Sequence, residues 1–364
     1  MKIAVDCRLI GQSGIGTFIQ NVVCHMVADS SVQFLLIGDA ALLAPYTGCP
    51  HCRIVGCTYP SFSLKELFCF PTKEVNRCDA FFTPNFNIPS GIRVPVFSTV
   101  HDVVFFDVEG VCSAFGRFLR RCYIQRALNI SKTVFTVSRF SRSRISSLFR
   151  CPTELSVVCN GVSQELADYR STHAMPARGD YIVCLGNLKK YKGVRDLIKA
   201  YSKARATGGV DYTLKIIGRI DFRTRDEQLE SLLGSSSDGI EFVTDADNAR
   251  VYSLLAGARA LVSPSHYEGF GIPPLEAMAL GTPVILSDIP VYKEVYGHFP
   301  VTFFRVGDTD DLCSKLCSLP AAPVSTDRLI AENYTYKKTA EKILHEITRP
   351  AIPPAHSGRA PRNG

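Results

Sequence analysis

The sequence predicts an α/β protein with two parallel-sheet domains, and three observations carry that prediction. Short apolar runs of strand length alternate with helix-periodic segments, the βαβ rhythm of a sheet covered on both faces. At 364 residues the chain is too long for one ordinary core and suits two of similar size. The rhythm breaks once, across the polar stretch 163–179 containing Pro176 and Gly179, and then restarts, which places a linker and hinge there.

Residues 1–162 form the first predicted domain. Lys2 to Asp6 reads as a strand, Gly14-Ile15-Gly16-Thr17 as a glycine-rich turn, and Phe18 to Val27 as an apolar-periodic helix. Ile19 stands where a dinucleotide fingerprint wants its third glycine, so hydride-transfer chemistry loses its main support. Gly14 and Gly16 still let the backbone approach a phosphate or sugar closely. Further strand runs follow at Gln33 to Ile37, Arg53 to Cys57, Ala80 to Thr83, Val94 to Val100, Thr133 to Val137 and Leu155 to Cys159. Parallel sheets bind ligands beyond the carboxyl ends of their strands, which directs attention to Pro84-Asn85, His101-Asp102 and Ser138-Arg139. Taken on its residues alone, His101-Asp102 reads as a capping aspartate beside a histidine packed on the sheet.

Residues 180–325 form the second predicted domain. Tyr181 to Leu185 reads as a buried strand, followed by a loop with Asn187, Lys189, Lys192 and Gly193 and a helix from Val194 to Arg205. A lysine at such a strand end is a flexible point charge able to neutralise a leaving diphosphate. Tyr212 to Ile217, ending at Gly218-Arg219, and Ile240 to Val243 are two more strands. Asp245-Ala246-Asp247 mimics a metal-binding triplet but reads as the cap of a helix through Ala256, and Asp308 to Asp311 is discounted likewise. Helices are expected at Asp310 to Cys317, Arg328 to Asn333 and Lys337 to Ile347, the last two within a 326–348 segment. The tail 349–364, rich in Pro, Ala, Arg and Gly, has the composition of a disordered segment.

The densest chemistry lies between Arg259 and Pro290. An apolar run from Ala260 to Val262 leads through a Ser/Pro/Gly loop into a helix opening at Pro273-Pro274 and stopping at Gly281, before the next strand, Pro283 to Leu286. Gly269 and Gly271 leave amides unshielded before a helix N-terminus, a setting that suits an anion. Glu268 and Glu276 flank that cradle, an arrangement matching phosphate in the middle of a ligand and hydroxyls at both ends, as in a nucleotide sugar.

The string EGFGIPPLEAMALGTPVI closely resembles the Glu-x7-Glu signature of the family 4-type retaining glycosyltransferases (glycosyl transferases group 1). That resemblance implies a GT-B fold, two Rossmann-like domains facing each other across a cleft. It implies that Glu268 faces the donor sugar, that Glu276 binds the ribose hydroxyls, and that amides around Gly269, Phe270, Gly271 and Ile272 meet sugar and phosphate. Asp6, Arg8, Gly14 and Gly16 match a DxR...GIG form of the first loop, which in that family faces the donor diphosphate. His101 matches a histidine beside the transferred sugar, and Asn160-Gly161-Val162 matches the crossing between domains. Gly218 borders the nucleotide base, and Lys192 matches a phosphate-binding lysine. Asn187 stands near the position of a family arginine, so the second phosphate contact falls to Lys189 or Arg8. Tyr336 replaces the usual tryptophan before a last helix that returns to the first domain. No metal and no cofactor is expected, the nucleotide sugar being substrate.

The implied activity is transfer of a hexose, mannose or rhamnose favoured, to a glycan or lipid-linked acceptor in cell-surface polysaccharide assembly. A GT-B sugar-nucleotide epimerase and a non-catalytic partner subunit are the alternatives. The apolar fraction of 46% supplies both cores, and no apolar run is long enough to span a membrane. The start, MKIAVDCRLIGQ, has no signal-peptide core, so the expected place is the cytoplasm or the inner face of its membrane. The net charge of +7 concentrates in the arginine-rich region 117–150, interleaved with Phe115, Phe118 and Leu119. Such a surface is either a solvated helix face or a site of attraction to an anionic membrane; nucleic acid is not expected, for want of a binding motif. Fourteen scattered cysteines read as reduced core thiols. Cys49-Pro50-His51-Cys52 lacks the strand-then-helix setting of a redox pair and offers no evident fourth zinc ligand.

Overall fold

The structure, a computed structural model, describes residues 1–59, 63, 66, 69–218, 238–320 and 325–349. Arg219 and residues 350–364 of the tail therefore lie outside the described residues.

The first sheet contains β1 (Lys2–Asp6), β2 (Gln33–Gly38), β3 (Cys52–Gly56), β4 (Ala80–Thr83), β5 (Val96–Thr99), β6 (Ser131–Thr136) and β7 (Glu154–Val157). Its seven strands run parallel in the order β3-β2-β1-β4-β5-β6-β7. The second contains β8 (Tyr181–Leu185), β9 (Thr213–Ile217), β10 (Ile240–Val243), β11 (Leu261–Ser263), β12 (Val284–Ser287) and β13 (Thr302–Phe304). These six, also parallel, take the order β10-β9-β8-β11-β12-β13. Every strand predicted from an apolar run is present, because runs such as Phe34 to Ile37 and Phe81-Phe82 are buried on both faces.

Sheet order reverses direction between β1 and β4 in the first domain and between β8 and β11 in the second. A crevice opens at the carboxyl end of each reversal, since the flanking helices leave to opposite faces. The loops after β1 and β4, and those after β8 and β11, are thereby neighbours. This single topological fact brings the Lys192 and Glu268 loops together across seventy-odd residues of chain.

The described helices are α1 (Ser13–Met26), α2 (Thr72–Val75), α3 (Val104–Asp107), α4 (Ala114–Ile130), α5 (Arg139–Leu148), α6 (Gln164–Thr172) and α7 (Val194–Ala206). They continue with α8 (Asn248–Ala256), α9 (Ile272–Ala279), α10 (Pro290–Tyr296), α11 (Thr309–Cys317), α12 (Asp327–Asn333) and α13 (Tyr336–Thr348). As the sequence implies, α13 returns to the first domain and packs on α1, with Tyr336 buried and its ring 6.2 Å from that of Phe18. Asp247 accepts from the Arg250 amide at 2.8 Å and Asp308 from the amides of Asp310 and Asp311, the capping role expected of both acidic clusters.

Two expectations differ from what is observed. Gly14 and Gly16 do not form a turn before the first helix: α1 begins at Ser13 and both glycines lie in its first turns. The stretch 163–179 is not linker throughout, because Ser163 Oγ accepts from the Leu166 amide and starts α6. That helix is tied to both domains. Asn21 Oδ1 accepts from the Gln164 amide at 3.1 Å, and Asn248 donates to Glu165 at 2.7 Å. Its polar composition resembled a linker because only Leu166 is fully buried.

Candidate functional site

Lys192 ends a short 3-10 turn after β8, and Gly193 follows at φ 68°, a left-handed conformation that glycine takes without strain. A Cβ on Gly193 would lie 2.0 Å from the Pro264 carbonyl oxygen, so the loop after β8 rests directly on the loop after β11. The His266 amide donates to Tyr191 O at 2.8 Å, which closes the same contact. In this register Lys192 Nζ lies 2.6 Å from Glu268 Oε1, a half-buried ion pair. Ser265 Oγ donates to the same oxygen at 2.8 Å, and Tyr292 Oη, 3.4 Å away, is held in turn by Ser263. Glu268 is thus oriented by three donors from its own domain.

The residues after Glu268 form the contact between domains. Gly269 is buried, and a Cβ there would meet Asp102 Cβ at 2.9 Å and His101 O at 3.2 Å. Its carbonyl accepts from Ser138 Oγ at 2.7 Å and from Ser141 Oγ at 3.3 Å. Close by, the Glu294 carboxylate of α10 accepts from the Arg139 and Phe140 amides at 2.7 Å each, capping α5 from the opposite domain. Ser138 stands at a strand end already singled out by topology. Glu294 carries no sequence signal, because the amides it caps belong to a helix 150 or more residues away.

Gly271 has φ 89°, and a Cβ there would strike the Tyr292 ring at 2.4 Å. Its carbonyl accepts from Tyr296 Oη. Pro273 and Pro274 occupy the first turn of α9 and have no N–H, so any anion at this helix start relies on the amides from Gly269 to Ile272. Phe270 is expected to act through its amide, and its side chain has another place. Its side chain is buried, 6.4 Å from Tyr296 and 5.8 Å from Tyr334 between ring centroids, so only its backbone is left to meet a donor. An apolar ring on a loop that seals two domains gains more from that aromatic cluster than from a polar cleft.

Glu276 lies one turn into α9, half-buried, its carboxyl with no hydrogen bond or ion pair among the described residues. Burial, then the nearby Glu165 charge, pushes its carboxyl up to about 7. A carboxyl without side-chain partners is able, once ionised, to accept hydroxyl donors.

His101 sits at the end of β5, edge-on to Phe18 at 4.9 Å. Nε2 is 3.0 Å from Pro84 O and donates to it, leaving Nδ1 as an acceptor. Burial pushes its pKa down to about 4, against the opposing effect of that hydrogen bond, so the ring is neutral at physiological pH. Asp102 accepts from the Val104 amide at 3.0 Å, a local turn contact that leaves His101 to the Pro84 carbonyl.

The first loop is reassigned in part. The Gly16 amide donates to Gln12 O at 2.9 Å, and a Cβ there would lie 2.5 Å from Leu9 O. Gly16 therefore serves close packing, and its N–H is not free for a phosphate. Gly14 is exposed with open space around it, and its amide belongs to the helix's unbonded first turn. Arg8 donates to Asp6 at 2.8 and 2.7 Å and lies 2.6 Å from Glu66. Two buried carboxylates, Asp6 and Glu66, hold its guanidinium. Asn187 is exposed and Gly218 is packed against Gly186, where a Cβ would meet the carbonyl at 2.1 Å. A separate cavity of about 630 Å³ opens among α6, α12 and α13, lined by Leu166, Ile330 and Tyr336, and includes none of these site residues.

Two parallel-sheet domains whose strand-end crevices face one another define the GT-B class of fold. Solved structures agree on that fold: a glycosyltransferase from Rickettsia africae has a TM-score of 0.70 at 15% identity, with 96% of this chain and 98% of that chain covered. Anabaena Alr3699/HepE, solved with UDP and glucose, has a TM-score of 0.68 at 16% identity over 95% and 98%. Residues 167–332, a little under half of the chain, match the family described as glycosyl transferases group 1. The O-antigen chain mannosyltransferase B of Escherichia coli is 30% identical over 228 residues, 59% of this chain and 58% of the relative. The O-antigen chain mannosyltransferase RfbU of Salmonella typhimurium is 32% identical over 201 residues, covering 54% and 53%. The chain thus spans a little over half the length of these curated relatives.

Proposed function

We propose that the protein is a retaining glycosyltransferase that moves a hexose, mannose favoured over rhamnose, from a nucleotide-diphosphate sugar to a glycan or lipid-linked acceptor. The observation that carries this reading is the Lys192–Glu268 pair, held at 2.6 Å where the second sheet reverses order, with Glu276 unpartnered beyond it. The mannosyltransferase names of the two relatives support the sugar. Lys192, with the amides of Gly14 and of Gly269 to Ile272, stabilises the charge that builds on the departing diphosphate. Glu268 and His101 Nδ1 hold sugar hydroxyls, and Glu276 holds the ribose. Neutral His101 orients the sugar and is not a proton donor in the neutral range. The acceptor attacks from the face the phosphate leaves, and the departing phosphate removes its proton. No divalent cation takes part in the transfer, so added magnesium or manganese leaves turnover unchanged.

The acceptor side lies on the first domain. Helix α4 starts on the cleft side of the sheet, as helices following parallel strands do, and exposes Phe115 (70%) and Phe118 (60%) beside Arg117, Arg120 and Arg121. Exposed aromatic rings interleaved with cations support peripheral contact with an anionic membrane surface carrying the acceptor, on its cytoplasmic face. No helix among the described residues is long and apolar enough to cross a membrane.

The test is a thermal-shift screen of nucleotide sugars, followed by turnover with lipid-linked acceptors. Transfer by the purified chain, with retained anomeric configuration, is the expected result. Nucleotide release equal with and without acceptor would favour an epimerase, and binding without turnover a non-catalytic subunit. Phe118→Asp is expected to abolish sedimentation with anionic vesicles; unchanged sedimentation would remove the membrane contact.

A further inference from the structure

A second chemical site lies at the opposite end of the first sheet from the cleft. Cys49, Pro50, His51 and Cys52 form a tight turn, the Cys52 amide donating to Cys49 O at 3.0 Å. Pro50 takes the turn's second position, whose φ its ring already matches. Closing the turn brings Cys49, His51 and Cys52 together, their ligand atoms all within 4.8 Å of one another and all three residues half-buried. The sequence alone showed these three residues without a fourth ligand. The structure shows that their ligand atoms converge.

The spacing matches a tetrahedral ion. Zinc bonds of about 2.3 Å to sulfur and about 2.0 Å to nitrogen set sulfur and nitrogen roughly 3.5 Å apart and two sulfurs roughly 3.8 Å apart. Cys49 Sγ lies 3.5 Å from His51 Nδ1, the ligand spacing, and 3.3 Å from Nε2, so in the empty site the thiol rests over the ring and swings in line with Nδ1 on binding. The second observation is the environment of the ring. His51 Nε2 lies 2.8 Å from the Val27 carbonyl at the end of α1 and donates to it, which makes Nδ1 the acceptor nitrogen, facing the Cys49 thiol. Metal-bound histidines are oriented in this way, with the far nitrogen's hydrogen given to a carbonyl.

We infer that Cys49, Cys52 and Nδ1 of His51 bind a soft divalent cation, zinc first, with water in the fourth position. Binding releases the two thiol protons to solvent and forms two thiolate bonds and one imidazole bond to the ion. The ion fastens edge strand β3, which begins at Cys52, to the end of α1 through the His51–Val27 contact. It stands apart from the transfer chemistry, since the Cys49–Cys52 turn precedes β3 and the cleft lies beyond the strands' carboxyl ends.

The experiment uses the full chain purified without a histidine tag under reducing conditions. Zinc content is measured by mass spectrometry, and the apo protein is titrated with cobalt while thiolate-to-metal absorption is followed. One equivalent per chain, a higher melting temperature with zinc, and loss of that equivalent in Cys49→Ser/Cys52→Ser are expected. His51→Gln, which keeps a donor toward Val27, serves as the second variant and should weaken binding at least tenfold while the circular dichroism spectrum stays unchanged. Cobalt absorption unaltered in the double variant, or a Cys49–Cys52 disulfide with no zinc taken up after reduction, would overturn the assignment.

Discussion

Replacing Glu276 by glutamine separates two consequences of its position. In the empty protein its carboxyl is raised from an ordinary 4.5 to about 7, first by burial and then by Glu165. At about 1.4 kcal/mol per pH unit, that rise corresponds to at most about 3.5 kcal/mol, and partial exposure to solvent reduces it to about 1–2 kcal/mol. The unfolded chain releases this proton near 4.5 and the folded chain only near 7, so the wild type loses stability as pH rises between those values and is level above them. The Glu276→Gln protein lacks this decline. Donor binding moves the opposite way: the ionised carboxylate accepts ribose hydroxyls, so wild-type affinity rises as pH climbs toward 7 and then levels. The variant's affinity is flat and lower at pH 8 by about 1.5–3 kcal/mol, the range for a hydrogen bond to a charged group, or roughly 10- to 150-fold. Thermal melts from pH 4.5 to 8.5, with and without nucleotide sugar, measure both. Overlapping wild-type and variant profiles, with equal donor affinity, would refute the ribose assignment and the buried-carboxylate reasoning together.

Three further outcomes are expected. Lys192→Met should lower turnover by about 10²- to 10³-fold, the usual cost of removing a group that meets developing charge, with donor affinity changed far less; single-turnover kinetics checks this, and an equal loss in both would make Lys192 a ground-state contact. Gly193→Ala places a Cβ 2.0 Å from Pro264 O at φ 68°, so it should destabilise the protein by more than the ~1 kcal/mol of left-handed strain alone, as urea melts would show. Ser138→Ala removes both the α5 cap and the bond to Gly269 O and should cost about 1–2 kcal/mol. Glu294→Gln leaves one acceptor for two amides and sets a donor against the other, so it should cost about 1–3 kcal/mol, and an unchanged stability would contradict the interdomain cap.

Strands, helices and the loop from Ser265 to Ile272 were legible because their signals are local. An apolar run such as Ala80 to Thr83 needs no distant partner to declare itself a buried strand, and Asp247 caps a helix that begins at the next residue. Glu268, Glu276 and the Gly269 to Ile272 backbone were singled out by one contiguous string and Lys192 by a separate loop, and the structure brings the two loops together. The first loop was read less well, since Gly16 looks the same in sequence whether it faces a phosphate or the Leu9 carbonyl.

By itself, then, the sequence determined the two parallel sheets and the loops that end their strands, because periodicity and turn chemistry act over a few residues. Only the tertiary structure decided which loops touch. It paired Lys192 with Glu268, seated Gly269 on Ser138, capped α5 with Glu294, committed Arg8 to two carboxylates, turned Phe270 inward and set His51 between two thiols. Each of these depends on sheet order and on packing between segments far apart in the chain, and side-chain chemistry at one position carries no record of the neighbour that such packing will supply.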